Sequence, residues 1–240
     1  YFRGNYKRFK SVMLHKAITI SIPTRGRLDL VSEVIDAAIT NATFKGDIEV
    51  VLRVDIDDQT MLNIHDQLPW KNHVRIISGP RKKGYQSIHD FHYEVIKSSN
   101  SEWFFLLGDD CKITSVGWDE QILAYNTPKV IKHATMWPPD LYDRLFCPIV
   151  HTQIVNTLGH VAKHFLFDGY VFEYARGANL FADTNIEIHH AVPEAHATQA
   201  REDINKSLEQ WRANASPQEN QIKLDNIAKD ISILKKSLDI

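Results

Sequence analysis

FFLLGDDCKI, residues 104–113, runs four apolar residues directly into two adjacent carboxylates, Asp109 and Asp110. A short apolar run that ends at a polar break is typical of an interior strand of a layered α/β domain. The two aspartates are therefore expected at the carboxyl end of a strand, which is the edge where open α/β sheets bind their ligands.

The sequence before this stretch alternates strands with helices. Strands are predicted at AITISIP (17–23), GDIEVVLRVDIDD (46–58) and VRIISG (74–79), where β-branched and apolar residues dominate. Helices are predicted at DLVSEVIDAAITNA (29–42) and YQSIHDFHYEVIKSS (85–99), where apolar residues recur at intervals of three and four. The alternation predicts an α/β fold with a mostly parallel sheet flanked by helices.

The composition is that of a globular protein with one sizeable core. The chain has 240 residues, 43% of them hydrophobic, and a formal net charge of −2, which argues against a disordered or fibrous protein. This charge gives no overall basic field for nucleic acid, although YFRGNYKRFK (1–10) is locally positive. No apolar run approaches the roughly 18 residues of a membrane span, and the amino terminus has no apolar signal region.

Cysteine usage points to a reducing compartment. Cys111 and Cys147 are the two cysteines of the sequence, which is too few for a disulfide framework, and they lack the paired spacing of a zinc site. We therefore expect a cytoplasmic protein.

The predicted strands and helices are regularly arranged in one part of the chain and less so in another. Residues 1–193 are expected to form one domain, with a regular half at 16–125 and a less regular half at 126–193, where TQIVNTLG (152–159) is the one clear helix. Loops that follow a rigid sheet often carry substrate contacts, although they also serve simply to cover a sheet face.

Residues 194–240 are predicted to form a helical carboxyl-terminal extension. Ser216, Pro217 and Glu219 have the spacing of a capped helix start. Apolar residues then step by three and four along the chain, at Leu224, Ile227, Ile231, Leu234 and Leu238. Two heptads are few for a coiled coil, so packing on the parent domain and homo-oligomerisation through this helix both remain open.

Carboxylates end two of the predicted strands. Asp55, Asp57 and Asp58 follow one of them, and Asp109 and Asp110 follow another. Parallel strands end at the same edge of a sheet, so these groups are expected to meet there, which is costly unless a cation lies among them. Oxygen ligands of this kind suit Mg²⁺ or Mn²⁺. The alternative is that Gly108, Asp109 and Asp110 form an ordinary solvated turn without an ion.

Three motifs occur in a characteristic order. ITISIPTRGR (18–27) joins a strand to a Pro-Thr-x-x-Arg loop, RVDIDDQT (53–60) ends a strand in an acidic turn, and residues 79–110 run from a glycine-containing loop through a helix to the aspartate pair. In this order the motifs resemble those of GT-A fold glycosyltransferases, particularly family 2-like enzymes, with the aspartate pair at the DXD motif. The resemblance covers residues 16–125.

The resemblance implies a nucleotide site. Asp55 would contact the nucleobase or ribose, the loop of Pro23, Thr24 and Arg25 would lie along the nucleotide, and Asp109 would face the ribose.

The resemblance also implies a divalent ion, Mn²⁺ or Mg²⁺, held by Asp110 against the donor diphosphate. Gly108 and Cys111 flank the aspartate pair in place of a third carboxylate, which leaves the number of ions open. Lys83 and Arg81 carry charge that would neutralise the departing diphosphate, with surface solvation as the alternative.

Candidates for the remaining roles lie in the less regular half. FLFDGYVFEY (165–174) resembles the region that holds the catalytic acid of related enzymes, so Asp168 is the candidate base and Glu173 the second choice. The alternative for Asp168 is a helix cap or turn. Some GT-A enzymes bring a late histidine to the metal or the diphosphate. NIEIHH (185–190) offers His189 or His190 for this role, and at most one of them is expected to serve because adjacent strand residues point to opposite faces.

The resemblance implies a metal-dependent transferase that moves a sugar from a nucleotide-sugar donor, a UDP-sugar, to an acceptor hydroxyl with inversion. The acceptor is a glycan, a protein, a small molecule or, as a minority hypothesis, a modified DNA base that would have to be flipped out of a duplex. Two alternative functions are compatible with the same predicted sheet. The protein would then be a nucleotidyltransferase or a non-catalytic nucleotide- or sugar-binding module. Release of pyrophosphate from a nucleoside triphosphate would identify the first of these.

Overall fold

The computed structural model describes residues 16–82, 84–135, 147–190 and 217–240. Within these residues the strands are β1 Lys16–Thr24, β2 Ile48–Asp55, β3 Val74–Gly79, β4 Ser101–Leu106, β5 Cys111–Ile113, β6 Val130–Thr135, β7 Ile149–His151 and β8 Phe181–His190. The helices are α1 Leu28–Thr40, α2 Gln59–Leu62, α3 Ile88–Ser98, α4 Trp118–Leu123, α5 Thr152–Leu158, α6 Phe167–Gly177 and α7 Pro217–Leu238.

The eight strands form one mixed sheet in the order β3-β2-β1-β4-β7-β6-β8-β5. The first four pair in parallel, and β6 also pairs in parallel with β8. Antiparallel pairing joins β4 to β7, β7 to β6 and β8 to β5. The sheet is therefore mostly parallel, and β7 marks the point where the βαβ order of the first half ends.

Hydrophobic residues cover both faces of the sheet. In β4, Phe105 belongs to the core cluster under α1, whereas its neighbours Phe104 and Leu106 belong to the cluster under α5 and α6. Successive residues of a strand point to opposite faces, so a continuous apolar run such as this one is what a doubly covered strand requires. Burial on both sides fixes the register of β4 and thereby the position of the aspartates that follow it.

Helix α7 packs against α5 and α6. Ile227 and Leu234 are buried in the same cluster as Tyr170 and Tyr174 of α6. A methyl group added at Gly177 would collide with Ile231, so the two helices approach each other closely. The predicted helix is present over Pro217–Leu238, whereas Ser216 of its predicted start and the boundary predicted at residues 193 and 194 lie outside the described residues.

A buried carboxylate fastens α7 to the rest of the protein. Asp230 has a side chain that is 0% exposed. It accepts hydrogen bonds from Lys163 Nζ at 2.8 Å and from Tyr170 Oη at 2.6 Å, and it contacts His160 Nε2 at 3.2 Å. Burial alone would raise the pKa of Asp230, but the neighbouring His160 and the hydrogen bonds from Lys163 and Tyr170 lower it to about 2.

The strands and helices predicted for residues 17–106 are confirmed. In the second half the sequence predicted a helix at 152–159, which α5 confirms, but it did not predict α6. Among the described residues no helix is both long enough and apolar enough to cross a bilayer.

Candidate functional site

The carboxyl ends of β1, β2 and β4 meet at one edge of the sheet because these neighbouring strands run in parallel. Asp55 is the last residue of β2, and Asp109 and Asp110 follow β4. Arg25 and Arg27 lie in the loop between β1 and α1. This edge therefore collects three carboxylates and two guanidinium groups, and we call it the acidic edge.

Asp55 lies between two arginines. Its Oδ1 accepts from Arg53 Nη1 at 2.5 Å and its Oδ2 accepts from Arg25 Nη1 at 3.0 Å. Arg53 is buried and also donates to Glu94 and to the carbonyl of Pro80. The buried arginine thus fixes the orientation of Asp55, while the exposed Arg25 faces the open side of the acidic edge.

The remaining two aspartates after β2 shape the loops. Arg25 donates to Asp57 in a two-point pair, and this hydrogen bonding lowers the pKa of Asp57. Asp58 accepts from the backbone N–H of Gly26 at 2.9 Å and from that of Met61 at the start of α2. Gly26 has φ of +62°, which favours glycine. Asp57 and Asp58 therefore hold the loop after β1 against the loop after β2.

Asp109 is buried and receives two donors. Its Oδ2 accepts from Thr24 Oγ1 at 2.9 Å, and its Oδ1 accepts from Arg27 Nη1 at 3.0 Å. Burial raises the pKa of this carboxyl, and the charge of Arg27 opposes the shift. Pro23, which precedes Thr24, lies in β1 opposite Arg53 of β2. The first strand thus brings Thr24 to Asp109 and Arg25 to Asp55.

Asp110 contacts the far end of β8. Its Oδ1 lies 3.2 Å from His190 Nε2 and accepts from Cys111 Sγ at 3.4 Å, while its Oδ2 lies 3.6 Å from Arg27 Nη1. Burial alone would raise the pKa of Asp110, but the hydrogen bond with His190 helps to lower it. A single carboxylate here therefore touches an imidazole, a thiol and a guanidinium.

Pairing of β5 with β8 selects one of the two late histidines. His190 lies opposite Cys111 in this antiparallel pair, and His189 lies opposite Lys112. Adjacent residues of a strand point to opposite faces. The structure accordingly brings His190, and not His189, against Asp110.

Donor atoms of Asp110, Cys111 and His190 lie within 4.8 Å of one another. Burial raises the pKa of the Cys111 thiol well above its ordinary value, so the sulfur is protonated at neutral pH and is a poor ligand. A carboxylate oxygen and an imidazole nitrogen on a half-exposed edge remain, and these are ligands that Mn²⁺ accepts together with phosphate oxygens. The donor set therefore fits a divalent ion that shares its coordination with a ligand.

Asp168 lies in the first turn of α6 and is half-buried. Its Oδ1 is buried and has no hydrogen-bond partner within the described part of the chain. Burial raises the pKa of Asp168 to about 8, although a hydrogen bond from the Cys147 backbone acts in the opposite direction. Cys147 in turn contacts the Cys111 thiol next to Asp110. This chain of contacts connects Asp168 to the acidic edge.

Three further residues were predicted from the sequence to belong to the site, namely Glu173, Arg81 and Lys83. Glu173 is an exposed residue of α6. Arg81 lies 3.9 Å from Asp57, and Lys83 lies outside the described residues. Sequence reasoning assigned no role to Arg27, although this residue is the arginine of the Pro-Thr-x-x-Arg motif and contacts both Asp109 and Asp110.

A serine–histidine pair lies beneath the acidic edge. Ser21 Oγ is 2.8 Å from His92 Nδ1. Both side chains are buried between β1 and α3, and burial lowers the pKa of His92 to about 3. A nucleophilic serine has to reach its substrate, so this pair is a hydrogen bond of the core.

No protein-family model and no curated protein matches this sequence. Solved structures do match. The mannosyltransferase PcManGT from Pyrobaculum calidifontis, in complex with GDP-Man and Mn²⁺, has a TM-score of 0.60 at 11% identity, over 92% of this chain and 74% of that chain. S. aureus TarS 1–349 in complex with UDP-GlcNAc has a TM-score of 0.58 at 13% identity, over 92% and 73%.

A further TarS structure matches with a TM-score of 0.57 at 11% identity, and the match covers 71% of this chain but only 36% of that one. The protein thus spans little more than a third of that TarS chain. These similarities show that the chain has a GT-A-like glycosyltransferase fold.

Proposed function

We propose that the protein is a glycosyltransferase that moves a sugar from a nucleotide-sugar donor, a UDP-sugar, to an acceptor hydroxyl with inversion. The observation that carries the proposal is the acidic edge, where Asp55, Asp109 and Asp110 come together at the carboxyl ends of parallel strands. Structures of the same fold hold UDP-GlcNAc or GDP-Man. We assign residues 1–193 to the transferase domain and 194–240 to its carboxyl-terminal extension.

In this proposal the nucleoside lies along the loop after β1. Asp55, oriented by the buried Arg53, accepts from the nucleobase or the ribose. Asp109 faces the ribose, and Pro23, Thr24 and Arg25 line the nucleotide. Arg81 and Lys83 supply positive charge for the diphosphate, because a charge that develops on a leaving group is stabilised by fixed cations within a few ångströms.

Asp110 and His190 are the proposed ligands of Mn²⁺ or Mg²⁺, supported by the 3.2 Å approach of Asp110 Oδ1 to His190 Nε2. A divalent ion at this position supplies Lewis-acid stabilisation of the departing diphosphate. His189 is only the second choice, since it lies opposite Lys112 and points to the other face of β8 from His190.

Asp168 is the proposed general base, with Glu173 as second choice. The Asp168 carboxylate takes the proton of the acceptor hydroxyl while the hydroxyl oxygen bonds to the anomeric carbon. The bond from that carbon to the diphosphate oxygen breaks, and its electron pair leaves with the nucleoside diphosphate. A pKa near 8 supports this role, because a base is most effective when its pKa lies near the working pH.

Calorimetric titration with UDP, with and without Mn²⁺, tests the donor site. Wild type is expected to bind UDP more tightly with Mn²⁺ than without it, and Asp110→Asn is expected to lose this gain. Asp66→Asn is the matched control, because Asp66 is an exposed carboxylate that pairs with Lys71 on the surface. If neither UDP nor GDP, CDP and dTDP binds wild type with Mn²⁺, the proposal is wrong.

A further inference from the structure

We propose that Arg27 neutralises Asp109 and Asp110 while the donor is absent, and that it transfers to the donor diphosphate when an ion binds Asp110. The protein would then bind the ion tightly only together with the nucleotide. This inference rests on the proposed function.

The contact geometry is that of a bridging cation. One nitrogen, Arg27 Nη1, lies 3.0 Å from Asp109 Oδ1 and 3.6 Å from Asp110 Oδ2. The other oxygens of the two carboxylates have different partners, since Asp109 Oδ2 accepts from Thr24 and Asp110 Oδ1 contacts His190. Arg27 is thus the positive group shared by both aspartates.

The side chain of Arg27 is partly exposed, whereas its backbone is held in place. The Arg27 carbonyl accepts from the backbone N–H of Val31, so the first turn of α1 fixes the main chain. Its side chain is 44% exposed, whereas that of Arg53 in the same region is 1% exposed. The Arg53 side chain is therefore enclosed by the protein, whereas solvent, and with it an entering diphosphate, can reach the Arg27 guanidinium.

The two cations compete because both bind Asp110, the guanidinium at Oδ2 and the proposed ion at Oδ1 beside His190. An ion that binds alone lies close to the guanidinium, and the repulsion between the two cations weakens its binding. A nucleoside diphosphate changes this balance, because a guanidinium pairs with phosphate oxygens through two parallel hydrogen bonds. Binding of the ion and of the nucleotide is therefore coupled, and by linkage each increases the affinity of the other by the same factor.

Mn²⁺ titration of the protein without nucleotide, read out by the electron paramagnetic resonance signal of free Mn²⁺, tests the inference directly. Arg27→Met is expected to bind Mn²⁺ alone about tenfold more tightly than wild type, which is the change expected from the loss of one competing ion pair. Arg27→Lys keeps the charge and is expected to stay within about threefold of wild type. Lys71→Met controls for net charge, since Lys71 is an exposed cation that pairs with Asp66.

Calorimetry with UDP completes the test. With Mn²⁺ present, Arg27→Met is expected to bind UDP about tenfold more weakly than wild type, because the diphosphate loses its guanidinium partner. Unchanged Mn²⁺ affinity in a folded Arg27→Met protein would overturn the inference whatever UDP does. Absence of nucleotide binding by wild type would instead overturn the proposed function, so the two failures are distinguishable.

Discussion

Arg53 donates a hydrogen bond from Nη1 to Oδ1 of Asp55, two residues further along the same strand. Residues two apart on a strand point to the same face, so β2 itself brings the two groups together. Arg53 also lies 4.1 Å from the centroid of the Phe91 ring and donates to Glu94 on α3. The aspartate proposed to read the nucleoside is therefore tied to a helix of the core.

Arg53→Met is expected to lower the free energy of unfolding by about 3 kcal/mol, because it leaves Asp55 without its buried partner. It is also expected to weaken UDP binding about tenfold, since Asp55 loses its fixed orientation. Chemical denaturation and calorimetry measure the two effects. Arg75→Met is the control, since Arg75 pairs with Glu49 on the same part of the sheet but is one-third exposed. An equal loss of UDP affinity in both variants would contradict the role given to Arg53.

The pH dependence of turnover is expected to report the ionisation of Asp168. A general base works as the carboxylate, so kcat/KM for the donor and acceptor is expected to rise with pH and to level off above about 8. Asp168→Asn is expected to reduce kcat by about a hundredfold or more. Loss of activity in Glu173→Gln, with activity retained in Asp168→Asn, would transfer the role to Glu173.

Asp168→Asn is also expected to stabilise the protein at neutral pH. The folded carboxyl keeps its proton up to about pH 8, whereas the unfolded one ionises near 3.8, so stability from this group is complete below pH 3.8 and is lost as pH rises to about 8. The variant escapes this cost and is expected to gain about 1 to 3 kcal/mol at pH 7.5. Thermal unfolding at pH 4 and pH 7.5 checks the sign, because the gain should be small at pH 4.

Asp230→Asn is expected to loosen α7 and to lower the free energy of unfolding by about 3 kcal/mol, because Lys163 and His160 lose a buried negative partner. In wild type this contribution is complete above pH 3.8 and is lost as pH falls to about 2, since the pKa of Asp230 is lowered. Asp225→Asn is the control. Asp225 lies on the exposed side of α7, and among the described side chains it accepts a hydrogen bond only from Gln221. Equal thermal stability of the two variants would argue against the conclusion that Asp230 holds α7 on the rest of the protein.

The first half of the fold could be predicted from sequence because its signals are local. β1 is rich in β-branched residues, β4 ends in an apolar run, and α1 and α3 show helical periodicity within one window of the chain. The acidic edge followed from these elements, since parallel strands must end at the same side of a sheet. The approach of His190 to Asp110 was foreseen as one of two options, and the register of β5 against β8 selects between them.

Helix α6 could not be predicted, because its stability comes from contacts distant in sequence. FDGYVFEYARG contains Gly169 and several aromatic residues, which are weak helix formers. Tyr170 is held by Asp230 from α7, sixty positions later. The contacts of Arg27 with Asp109 and Asp110 were missed for a similar reason, since the reach of a long side chain from a loop to two aspartates leaves no periodic signal.

The place of β8 in the sheet also determines when the site can exist during synthesis. Asp110 leaves the ribosome long before His190, and the two meet only after β8 has paired with β5. Domains form as cooperative units once their distant contacts are available. A nascent chain that ends before β8 therefore carries the aspartates but lacks the imidazole that contacts Asp110 in the folded sheet.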